Sequence, residues 1–245
     1  MFFVGKSSIL KPSSENVIAQ NILNVQERIS RACRRAGRDP AGVTLVAVAK
    51  TFPAEMIAEA NRCGIPDIGE NYIQELREKK EILAGPEIRW HFVGHLQTNK
   101  IRYIAPWVHL IHSVDSLRLA GAISAAGERA GRAIPVLMEV NTTGEASKFG
   151  LRPDQTLEFS REMRKLPGIL PSGLMTMGPL AEDPEASRPA FRLLREIRER
   201  ITGEGGGFPH LSMGMTNDFE VAIGEGATLL RIGTALFGAR TRAGH

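Results

Sequence analysis

Apolar residues at Ile18, Ile22, Val25, Ile29 and Cys33 recur at intervals of three and four, the stripe of an amphipathic helix. Gly37 and Pro40 close that helix, and residues 1–14 before it read as a loose leader ending in Pro12-Ser13-Ser14. The period then changes. Short runs rich in apolar and β-branched residues lie at 43–49, 66–69, 89–93, 108–114, 134–141, 173–177, 210–214 and 228–233. Helical patterns fall between them at 54–63, 72–83, 116–130, 153–166, 186–201 and 217–223. Asp115 and Asn217 stand where N-caps belong, and Glu220 sits three past Asn217 as in a capping box.

Several of the strand runs, Val43-Thr44-Leu45-Val46-Ala47-Val48-Ala49 above all, are almost continuously apolar. Strands covered on both faces read this way, which points to parallel βαβ architecture. Eight such runs with interposed helices predict an α/β fold: one (β/α)8 barrel over residues 15–245, with an extra helix in front. Periodicity alone also admits an open, doubly wound sheet.

Composition narrows the class of function. The 245 residues are 42% hydrophobic and 24% charged, ordinary values for a globular protein. No stretch approaches the about 18 uninterrupted apolar residues that cross a bilayer, and the first residues lack a secretory pattern, so a cytoplasmic protein is expected. The net charge of +4 is spread out, and no aromatic residues interleave with the basic runs, which argues against a nucleic-acid partner. Cys33 and Cys63 are isolated and read as free thiols.

Reactive groups of such a barrel gather where strands end. The first strand run ends in Ala49-Lys50-Thr51. A lysine there is either a desolvated amine able to form imines or a rim cation that binds an anion. Glu70 and Asn71 follow the second run; Glu70 reads as a helix cap and Asn71 as a ligand contact in the barrel mouth. Ser212 and Gly214 end the seventh run, and Arg231, Gly233 and Thr234 end the eighth. Hydroxyls beside glycines at these two strands suit a phosphate. Arg231 shares the inward side of its strand with Gly233; it faces either a ligand or a core carboxylate such as Glu139. His91 and His95 lie four apart on a strand-like run and do not form a metal pair. Met175, Met177, Met213 and Met215 read as core packing, and Lys148 as a solvated loop charge.

Five motifs in order resemble the pyridoxal phosphate homeostasis proteins, single-domain relatives of the alanine racemase barrel. They are Val48-Ala49-Lys50-Thr51, Gly69-Glu70-Asn71-Tyr72, the segment Trp90 to Lys100, Leu211-Ser212-Met213-Gly214-Met215 and Arg231-Ile232-Gly233-Thr234. The resemblance implies that Lys50 carries pyridoxal 5′-phosphate (PLP) as a Schiff base. It implies further that Ser212, Gly214, Gly233 and Thr234 hold the phosphate, that Asn71 lies beside the cofactor and that Arg231 faces the pyridine nitrogen. Thr216 stands where family members often carry serine. An obligate cation at the ring nitrogen weakens PLP as an electron sink. Neither Tyr72 nor Tyr103 lies in a recognisable racemase-base motif, so binding without turnover is expected, with a weakly active racemase-like enzyme as the rival. PLP-dependent apo-enzymes are the implied recipients, and the chain is expected to be a monomer.

Overall fold

The apolar run at the start of the repeat forms β1 (Thr44–Val48), in which Val46 and Ala47 are buried on opposite faces. In the computed structural model, which describes residues 14–239 except 86 and 206, seven further strands follow. These are β2 (Asp67–Glu70), β3 (Arg89–Phe92), β4 (Leu110–Val114), β5 (Ile134–Glu139), β6 (Ile169–Met175), β7 (His210–Ser212) and β8 (Leu229–Ile232). All pair in parallel with their chain neighbours, and β8 pairs back onto β1 with Val46 opposite Arg231, so the sheet is a closed barrel rather than an open one.

The helix stripe at the beginning is real: α1 (Ser14–Arg35) buries Ile18, Ile22, Val25, Ile29 and Cys33. The other helices are α2 (Ala54–Arg62), α3 (Ile73–Ile82), α4 (Leu117–Arg129), α5 (Thr156–Met163), α6 (Arg188–Gly203), α7 (Phe219–Gly224) and α8 (Thr234–Phe237). The last is a single turn. α1 packs against α2, α7 and α8, across the seam where β8 meets β1. Asn21 donates to Leu236 O at 3.0 Å, and the Arg38 guanidinium donates to Ile223 O and Ala227 O, both at 2.7 Å. The expected leader, residues 1–14, lies outside the described residues save for Ser14, which begins α1.

Local signals shift by a residue or more. The N-cap of α4 is Ser116, whose hydroxyl accepts from Leu119 N, rather than Asp115. The N-cap position of α7 belongs to Asp218, whose carboxylate accepts from Met215 N at 2.7 Å and from the Ser187 hydroxyl at 2.7 Å. Asn217 is turned away and donates to Ala181 O and Glu182 O. β6 starts four residues before the expected run, because Pro171 inside it reads as a breaker. A 3-10 segment, Thr98–Tyr103, stands between β3 and β4 in place of a full helix. Among the described residues no helix is long and apolar enough to cross a membrane.

Candidate functional site

The backbone bends sharply just past β1. Thr51, immediately after Lys50, has φ +69°, a conformation that a β-branched residue adopts only when its surroundings hold it there. Its N–H donates to Glu75 Oε2 at 2.8 Å, and the N–H of Phe52 donates to Ala49 O at 3.0 Å. Behind this bend sits Lys79 of α3, whose Nζ donates to Ala49 O at 2.9 Å, Glu70 Oε1 at 2.6 Å and Glu75 Oε2 at 2.8 Å. Glu70 is therefore not a cap. It is fully buried, and burial pushes its carboxyl up to about 7 against the opposing pull of Lys79. The position before α3 is filled by Tyr72, without a side-chain capping bond.

The bend aims Lys50 into a cavity of about 280 Å³ at the C-terminal mouth of the barrel. Lys50, Asn71, Arg231, Gly233 and Thr234 line it together, brought from the ends of β1, β2 and β8. Met215, Thr216 and Asn217 from the loop after β7 complete one wall, with Val48, Phe52, Val93 and Met177 supplying apolar surface. Met175 and Met213 are buried core residues as expected, whereas Met177 and Met215 are exposed at this mouth. A larger open cleft of about 530 Å³ adjoins at Asn71 and holds Tyr72, Tyr103, Arg77 and Lys100. None of the other predicted site residues reaches it.

Two predicted residues lie elsewhere. Ser212 is fully buried beneath the cavity, where its Oγ accepts from Arg231 Nη1 at 2.6 Å and meets His112 Nδ1 at 2.9 Å. Gly214 has φ +93°, and a Cβ there would stand 2.6 Å from that of Ala222, so the glycine serves the close approach of α7. The hydroxyl that reaches the cavity after β7 is that of Thr216, which accepts from Ala235 N at 3.3 Å in the first turn of α8.

Arg231 is buried, and burial lowers its guanidinium to about 10, so it stays charged at neutral pH. Nη2 donates to Thr176 O at 2.8 Å. It forms no direct ion pair with Glu139, which acts on it through space. Burial, with the nearby charge of Asp115, raises the Glu139 carboxyl to about 7 against the pull of Arg231. A folded-state value above the unfolded one means that the folded protein binds the proton more tightly, so this group lowers stability as pH rises from about 4.5 to about 7. Glu139→Gln is expected to raise stability at pH 8 by roughly 1–3 kcal/mol and to change it little at pH 5, as urea unfolding at the two pH values will show.

Other candidates resolve simply. His95 is exposed and stacks on Phe149 with ring centroids 4.2 Å apart, far in role from the buried His91. Lys148 is not a solvated charge: its Nζ ties Glu145 to Gly178 O, at 2.5 and 2.9 Å. Cys33 and Cys63 are free.

The family model described as the alanine racemase N-terminal domain matches residues 20–241. A pyridoxal phosphate homeostasis protein of Aquifex aeolicus is 46% identical over 90% of this chain and 97% of its own length. The chain belongs to the pyridoxal phosphate homeostasis protein family. A second member of that family, from Pseudomonas aeruginosa, is 44% identical over 92% of this chain and 96% of its own. The solved structure of PipY from Synechococcus elongatus PCC7942, with PLP bound, superposes with a TM-score of 0.78 at 30% identity, covering 90% of this chain and all of PipY. Membership of the homeostasis protein family thus extends over the whole barrel and is not confined to the five motifs.

Proposed function

We propose that this chain binds PLP in the cavity at the barrel mouth, holds it on Lys50 as a Schiff base, and serves intracellular vitamin B6 homeostasis by keeping and releasing the cofactor without turnover. The observation that carries this reading is the donor set of the cavity. An amine at one side, a buried guanidinium at its floor, and the Thr216 and Thr234 hydroxyls beside the first turn of α8 suit an aldehyde, a ring acceptor and a phosphate respectively. Glycine at 233 fits the same purpose, because a Cβ there would stand 2.9 Å from Val48 O, between β8 and β1.

When bound, PLP supplies an aldehyde for the Lys50 amine and an electron-withdrawing ring. The side chains of this chain restrain that ring. Arg231 cannot surrender its proton to the ring nitrogen at neutral pH and so keeps the nitrogen an acceptor. Lys50 and Arg231 are the sole titratable residues of the cavity lining among the described residues; no carboxylate, histidine, tyrosine or cysteine joins them. Moving a proton on and off a substrate from two sides needs a second base, which this lining does not offer. Holding the cofactor needs none. PLP-dependent apo-enzymes in the cytoplasm are the recipients this reading implies, served by a monomer.

The test is the visible absorbance of purified protein mixed with PLP, followed by borohydride reduction and peptide mapping. A band that reduces to a pyridoxyl group on Lys50 is expected, together with no α-proton exchange from added L-alanine in heavy water. Label scattered over surface lysines would reject the site, and steady exchange would reject the absence of turnover.

A further inference from the structure

A file of polar side chains crosses the barrel interior beneath the cavity. It starts at the N-terminal end of β2, where Asp67 is gripped by Arg89: Nε lies 2.7 Å from Oδ1 and Nη2 2.5 Å from Oδ2. Asp67 Oδ1 also meets His91 Nε2 at 3.0 Å. His91 Nδ1 lies 2.9 Å from His112 Nε2, and His112 Nδ1 lies 2.9 Å from Ser212 Oγ. Ser212 Oγ accepts from Arg231, whose other side lines the cavity. Asp67, His91, His112 and Ser212 are all buried, so water does not compete for these bonds.

The two ends fix the direction of every hydrogen between them. Burial raises the Asp67 carboxyl, but the bonds from Arg89 and His91 overcome that and hold it at about 2, so it is a carboxylate and only accepts. His91 must then donate from Nε2. A neutral His91 accepts at Nδ1, which makes His112 donate from its own Nε2. Burial holds His112 well below the usual imidazole range, so its Nδ1 carries no hydrogen and accepts the one from the Ser212 hydroxyl. Ser212 is left with lone pairs alone to offer Arg231. The opposite direction would require an imidazolium at His91 and leave the Ser212 hydrogen without an acceptor, in a file that already ends on a buried cation.

Asp67, His91 and His109 also bring three ligand atoms within 4.8 Å of one another. Arg89 already occupies both carboxylate oxygens, which a metal ion would have to displace. The charged or titratable groups around His91 include Asp67, Arg89, His109, His112 and His210, and those around Arg231 include Glu139, Asp218 and His112, with Lys50 across the cavity.

We propose that Asp67, His91, His112 and Ser212 are positioning residues for Arg231, a directed hydrogen-bond file that locks the guanidinium at the cavity floor and ties it to the ionisation of Asp67 at the opposite end of the barrel. What Arg231 faces rests on the PLP reading; the file is a property of the ligand-free protein. Histidine-selective ¹⁵N labelling of that ligand-free protein reads it directly. His91 and His112 are expected as neutral rings protonated at Nε2 alone near neutral pH, and an Nδ1–H signal at either would overturn the direction. In Asp67→Asn the amide offers hydrogens as well as a lone pair, so His112 is expected to gain a measurable Nδ1–H fraction. A wholly Nε2-protonated His112 in that variant would show that the far end does not govern the file. In PLP-loaded protein, Ser212→Ala removes one of the two acceptors that hold Arg231 and leaves Thr176 O. The pH midpoint of the imine band is expected to rise by roughly half a unit or more, because a loosened cation disfavours the protonated imine less. An unmoved midpoint would overturn the positioning role. If the unsubstituted protein forms no imine band, the Lys50 reading fails, while the ring-nitrogen signals still decide the file.

Discussion

Replacing Lys50 with alanine is expected to abolish the imine absorbance of PLP-treated protein and to leave the cofactor bound more weakly, by roughly a hundredfold or more, equivalent to about 2.7 kcal/mol. The covalent bond disappears, but the guanidinium of Arg231 and the threonines around α8 remain to hold ring and phosphate. Equilibrium dialysis against PLP measures the residual affinity, and the visible spectrum measures the imine. The substitution removes a half-buried side chain at the cavity wall, and a circular-dichroism melt of the variant checks that the barrel stays folded. Two other lysines near the mouth are poor substitutes for the nucleophile. Lys79 is held by two carboxylates and a carbonyl, and Lys148 by Glu145 and Gly178 O. An unchanged imine spectrum in the alanine variant would show that some other amine carries the aldehyde and would remove the central residue from the proposed function.

Lys79→Met should produce the largest loss of stability. It leaves Glu70 fully buried without a counter-charge, a change that costs about 3–5 kcal/mol in comparable sites. For a chain of this size that lowers Tm by roughly 6–20 °C. The loss has a sign in pH. Glu70 already titrates at about 7 through burial, so below that value the orphaned carboxyl takes up a proton and the variant recovers part of its deficit. Differential scanning calorimetry at pH 5.5 and pH 8 separates the two regimes. Adding Glu70→Gln to Lys79→Met is expected to restore most of the stability at pH 8, because the buried charge is gone. A double variant as unstable as the single one would place the cost in packing, and not in the ion pair. The same lysine also holds Ala49 O, one residue before Lys50, so the single variant is expected to loosen the segment that aims the amine.

The barrel was legible because its strands are apolar on both faces and its first helix carries one clean stripe. The residues that end β1 and β8 were legible for a related reason: in a closed parallel barrel, strand ends converge, so Lys50, Arg231, Gly233 and Thr234 meet without further information. Ser212 was misread because a hydroxyl beside a glycine looks alike whether it faces a phosphate above or an arginine within. Strand parity could have separated the cases, since Ser212 and Arg231 both point into the barrel from neighbouring strands. Glu70 was misread because its partner, Lys79, lies nine residues on in a helix whose surface is mostly charged, and nothing local distinguishes it from Lys80 or Glu78. The histidine file was invisible. His91, His112 and Ser212 come from β3, β4 and β7, and only the closure of the sheet across its interior brings β7 to β4.

The seam between the first and last elements has a consequence for how the chain is made. The apolar stripe of α1 is covered by α7 and α8, and Asn21 reaches a carbonyl 215 residues later. During synthesis α1 leaves the ribosome with α2 close behind it to cover part of its surface, whereas α7 and α8 come only near the end of the described residues. Such distant pairing is slow to form and open to capture by other apolar surfaces in the meantime. The packing of α1 is thus completed only after α7 and α8 have been made.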